Sequence, residues 1–92
     1  MNYNTKKDWD NEIHYIYFLK DIDKNVVFYV GVTSRPKVRF IEHHNKYISW
    51  KNFSMEIVCK FYDRTLAEDY EYYLIDKLLN NGVELLNKKT KL

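Results

Sequence analysis

Residues 14–31, "HYIYFLKDIDKNVVFYVG", set two short aromatic and aliphatic runs on either side of a polar patch. Residues 13–19 are apolar on both alternating faces, the pattern of a strand covered on two sides. "DIDKN" interrupts it, and residues 26–31 are again β-branched and aromatic, so the two runs predict a hairpin turning across residues 21–25. A turn centred on Asp23 opposes Tyr17 to Tyr29. Directly opposed residues share a sheet face, with Cβ atoms about 5 Å apart. A slip of one residue would put the two phenols on opposite faces.

Beyond the hairpin, "VTSRP" supplies a loop and a helix start, with Ser34 or Arg35 as the cap and Pro36 in the first turn, where its missing N–H is harmless. The helix is expected over residues 37–47. Arg39 and His43 lie four apart on one of its faces, by default a solvated pair. Phe40, His44 and Tyr47 form a neighbouring stripe, with Val38 and Ile41 completing the apolar side. A third strand is expected over residues 55–62. "TLAE" at residues 65–68 reads as a capping box that opens a second helix running to Asn80. Asn81 and Gly82, which tolerate left-handed backbone, end it.

On that second helix Leu66, Ala67, Tyr70, Leu74, Ile75 and Leu78 form an apolar stripe, and Glu71 falls in its middle. Glu68, Asp69 and Asp76 sit where solvent is expected. A carboxylate on a core-facing stripe loses hydration and costs stability unless a cation, an arginine or a metal compensates it. The alternative is a glutamate at the edge of the stripe that reaches water or a lysine.

Ninety-two residues bound the chain to one small domain, residues 1–92. Residues 1–12 read as a polar, irregular arm that Trp9 pins to the body, and residues 88–92 as a basic tail. Hydrophobic residues at 46% and charged ones at 30% exclude a disordered chain, and a net charge of +2 permits a polyanion partner without arguing for one. The single cysteine, Cys59, reads as a buried thiol in a reducing compartment. No stretch is apolar and long enough for a signal peptide or a membrane span, so the expected location is cytoplasmic. His14, His43, His44 and Cys59 lack any recognised zinc spacing.

In order and spacing these residues resemble the GIY-YIG nuclease family. "YIY" at residues 15–17 takes the place of the first signature and "YVG" at residues 29–31 that of the second. Arg39 and His43 match the family's arginine and the histidine one helical turn later. Ala67, Glu71 and Ile75 match its alanine, glutamate, isoleucine pattern, and Asn87 after Leu85 and Leu86 its C-terminal asparagine. The sequence departs at Tyr15, where the first signature has glycine, and at Val30, where the second has isoleucine.

The resemblance implies an α+β sandwich: a small, three-stranded, mostly antiparallel sheet flanked by helices. It implies an endonuclease that hydrolyses DNA phosphodiester bonds with Mg²⁺, or Mn²⁺ in its place. Catalytic roles then fall to Tyr17, Tyr29, Arg39, His43, Glu71 and Asn87. Tyr17 is the general base or its relay, Tyr29 positions water or phosphate, Arg39 clamps the phosphate, Glu71 holds the metal and Asn87 orients the site. DNA contacts are expected from Arg35, Lys37, Arg39, Lys88 and Lys89. Target preference would come from a homodimer, a separate specificity partner or substrate shape. The alternative is a catalytically weak nucleic-acid-binding module on the same fold, with Tyr15 altering how the strand meets substrate.

Overall fold

The computed structural model describes residues 12–47 and 52–87. The expected N-terminal arm with Trp9, and the tail with Lys88 and Lys89, lie outside the described residues. The elements run β1 (His14–Asp21), β2 (Val26–Thr33), α1 (Pro36–Tyr47), β3 (Phe53–Phe61) and α2 (Arg64–Asn80). The strands form one sheet in the order β2-β1-β3, with both pairings antiparallel. The fold is α+β, as expected, and the strand read as covered on two sides is the central one.

Alternation along β1 divides the core. Ile16 packs with Val30, Ala67, Leu74 and Ile75, which places α2 on one sheet face. Tyr17 and Leu19 pack with Phe28, Tyr47 and Phe53, which places α1 on the other. Period-two strands between amphipathic helices thus yield two small cores.

The hairpin register differs from the one the sequence suggests. Tyr17 pairs with Gly31, and Leu19 with Tyr29. Two displacements produce this. The turn closes on the pair Asp21 and Val26, with Asn25 at φ 57 and its N–H donating to the Asp21 carbonyl at 2.7 Å. Continued up the ladder, that register would oppose Tyr17 to Val30 and split the two phenols between faces. A β-bulge at Phe28 inserts one more residue, because Lys20 pairs with Val27 while Leu19 pairs with Tyr29. The bulge turns Phe28 and Tyr29 to the same side, where both join the core under α1. The phenols are diagonal neighbours on one face.

The helices also begin and pack differently from expectation. Asp63 caps α2 by accepting from the Leu66 N–H at 3.0 Å, so the helix opens one residue before Thr65 and the capping box does not form. Leu66 is therefore rotated outward and 56% exposed. On α1, Val38 and Ile41 are exposed and the buried residues are His43 and Tyr47. Pro36 opens that helix as expected, Arg35 supplying the carbonyl that accepts from the Arg39 N–H at 3.0 Å. Asn81 and Gly82 (φ 85) close α2.

Candidate active site

β1 and β2 present Tyr17 and Tyr29 toward α1, their ring centroids 6.2 Å apart with an interplanar angle of 28°. Gly31, opposite Tyr17, lies under the Tyr17 ring, and a Cβ there would overlap the phenol. This explains the glycine of "YVG": it makes room for a side chain on the neighbouring strand.

His43 descends from α1 onto the pair. Its Nε2 lies 2.7 Å from the Tyr17 hydroxyl, and its ring stands at 63° to that of Tyr29 with centroids 4.8 Å apart. The default reading of His43 as half of a solvated pair does not hold, because the residue is buried. Burial, reinforced by the charges of Arg39 and Lys46, lowers its pKa below the usual histidine value and keeps the ring neutral at pH 7. Tyr17 is fully enclosed, and burial foremost, then the neighbouring Tyr29, pushes its pKa far above the ordinary phenol range. Tyr17 thus keeps its proton, and in the Nδ1–H tautomer of His43 the phenol donates to Nε2.

Arg39 pairs with Glu42, Nε to Oε1 at 2.9 Å, and its positive charge favours ionisation of the Tyr17 phenol without outweighing burial. Burial opposes its charge, but Tyr17 and Glu42 outweigh that and raise its pKa. Glu42, unnoticed in the sequence, was legible as the acid three residues after Arg39 on the same helix.

Glu71 is 3% exposed, flanked along α2 by the buried Ala67, Leu74 and Ile75. Burial excludes the reading of a stripe-edge glutamate in water. Although α2 covers the opposite sheet face, the charge of Glu71 acts on the Tyr17 phenol and opposes its ionisation. Tyr29, Arg39 and Glu71 thus all act electrostatically on the Tyr17 phenol.

Asn87 is buried and grips β2. Its Oδ1 accepts from the Val30 N–H at 2.8 Å, and its Nδ2 donates to the Val30 carbonyl at 2.7 Å. The Leu86 N–H donates to the Phe28 carbonyl at 2.7 Å, so the chain end continues the ladder beside β2. Asn87 fixes the β2 backbone at Val30, between Tyr29 and Gly31. Arg35 and Lys37 are exposed near the start of α1. Tyr15 sits in a regular ladder between Thr33 and Lys60. Among the described residues only Asn25 has a positive φ outside glycine, so the freedom a glycine would bring at position 15 is not used.

A model of the GIY-YIG catalytic domain matches residues 13–84. The chain belongs to the GIY-YIG family. No curated protein and no solved structure matches it. Membership makes it a member of a nuclease family whose enzymes are endonucleases. Asn87, outside the matched residues, is joined to the GIY-YIG centre by its two hydrogen bonds to Val30. Among the described residues no helix is long and apolar enough to cross a membrane.

Proposed function

We propose that this GIY-YIG domain is a Mg²⁺-dependent endonuclease that hydrolyses DNA phosphodiester bonds. The observation that carries the reading is the hydrogen bond between the Tyr17 hydroxyl and His43 Nε2, with Tyr29 stacked beside it and Arg39 one helical turn before His43 on α1. Phosphodiester hydrolysis needs a cation on the phosphate, a path for the proton of the attacking water and charge neutralisation at the leaving oxygen. The first two are supplied by side chains.

Arg39 and Tyr29 are only half-buried and are the groups that meet the phosphate. Arg39 spends Nε on Glu42 and keeps its Nη groups for the phosphate. With Arg39 on the phosphate, a lone pair of the Tyr17 oxygen is free for the attacking water. The water's proton passes to that oxygen as the phenolic proton moves to Nε2 of His43. Tyr17 is a relay between two neutral partners, since its raised pKa disfavours a standing phenolate. Tyr29 stacks on the relay and presents its own hydroxyl toward the substrate.

The donor set suits a hard ion. Glu71 is a buried carboxylate, and among the described residues no three His, Cys, Asp or Glu side chains gather as a cluster able to hold a metal. Mg²⁺ tolerates a single protein carboxylate because it keeps several waters and takes phosphate oxygens. Bound at Glu71, it would supply the charge neutralisation that the side chains leave open.

Incubating the chain with supercoiled plasmid and Mg²⁺ tests the reading. Nicking that requires Mg²⁺ and disappears in Glu71→Ala is expected. Binding without nicking by the unmodified chain, on several DNA forms, would overturn it.

A further inference from the structure

A cleft of about 690 Å³ opens beside the site, between the start of α1 and the start of α2. Arg39 forms part of its wall, so it continues directly from the phosphate clamp. Arg35, Arg64 and Thr65 also line it, together with the acids Glu12 and Asp63. Asp63 is occupied in capping α2, and Arg64 uses Nε on Glu68, which leaves its Nη groups for an anion. Helices of 12 and 17 residues begin at this cleft, and helix N-termini favour negative charge.

A separate observation points the same way. His14 lines the cleft and is 8% exposed, yet its Nε2 has no hydrogen-bond partner among the described residues. A buried polar atom left unpaired is destabilising, and a phosphate oxygen accepting from Nε2–H would satisfy it. Tyr62, exposed at the same cleft, offers an aromatic face to a sugar or base beside the phosphate.

We propose that this cleft is a second phosphate subsite, in which His14, Arg35 and Arg64 hold a nucleic-acid backbone phosphate next to the one clamped by Arg39. The inference rests on the nuclease reading for its ligand. It extends the contact surface along the strand and gives His14 a binding role.

Two measurements on the full chain test it. In the first, inorganic phosphate is titrated while the His14 imidazole nitrogens and the Thr65 amide are followed by NMR. A saturable shift at both, lost in an Arg35→Ala/Arg64→Ala variant, is expected; no shift at His14 overturns the subsite. In the second, oligonucleotides with one linkage at a time replaced by uncharged methylphosphonate are bound to the Glu71→Gln chain. One linkage next to the clamped phosphate should weaken binding about tenfold, and the arginine variant and His14→Gln should not sense that change. Equal sensitivity in all variants overturns the proposal even where plasmid nicking is normal. Phosphate binding at His14 by a chain that never nicks DNA upholds the anion site and removes the nuclease reading alone.

Discussion

The hydroxyl of Tyr17 lies 2.7 Å from Nε2 of His43, across 26 residues of chain, and the fold encloses both. A bond of that length between a phenol that keeps its proton and a neutral imidazole is a short transfer path. It also makes each partner costly to remove.

Tyr17→Phe should lower the nicking rate by about 10²–10⁴-fold, the usual weight of a positioned proton-transfer group. The ring and its packing survive, so the melting curve should move little. A plasmid assay beside a thermal melt distinguishes loss of the relay from loss of the fold.

Gly31→Ala should destabilise the domain by about 1–3 kcal/mol, because the added methyl overlaps the Tyr17 ring and the ring must move. Activity should fall further than stability, since the displaced phenol leaves His43. Urea unfolding combined with nicking at a concentration of urea far below the transition reads both effects. A substitution without either effect would show that the ring has room.

Asn87→Ala should cost about 2–3 kcal/mol, as it leaves the buried N–H and carbonyl of Val30 without their partner. Faster hydrogen exchange at the Val30 amide is the specific sign. Asn87→Asp keeps an acceptor for that amide and loses the donor to the carbonyl, so protection of the amide should recover in part.

The pH dependence follows from His43. Its pKa is lowered in the folded chain by burial and by Arg39 and Lys46, so the unfolded chain binds its proton first as pH falls. Stability from this residue is complete above the usual histidine value of about 6.5 and is lost as pH falls through the lower folded value. The same protonation fills the acceptor of the relay. Nicking should decline on an acid limb centred below about 6.5, and the limb should vanish from the residual activity of His43→Ala. An acid limb centred above that value would contradict the burial of the ring.

Much of the site was legible before any tertiary contact was known. Glu71 stood out because helical period is a property of consecutive residues, and an acid inside an apolar stripe is visible from its neighbours four positions away. Asp63 was missed as the α2 cap because Thr65 and Glu68 offered a competing local pattern, and the aspartate won by satisfying the Leu66 amide two residues earlier. Val38 and Ile41 were misassigned to the core for the opposite reason: α1 turns His43 and Tyr47 inward, toward the aromatic cluster. No pattern on the helix itself specifies that rotation.

By itself the sequence determined the order of the elements, the apolar character on both faces that makes β1 central and the identity of the groups able to handle a phosphate. Tertiary structure alone decided that the two phenols share a face. The turn closed with the pairing one residue out of the expected register, which by itself would have separated them, and the bulge at Phe28 returned both to one face. Phe28 meets the rings of Tyr47 and Phe53 edge-on, contacts that come from α1 and β3. A register depends on how many residues two strands spend between fixed points, and that count is set by packing from distant parts of the chain.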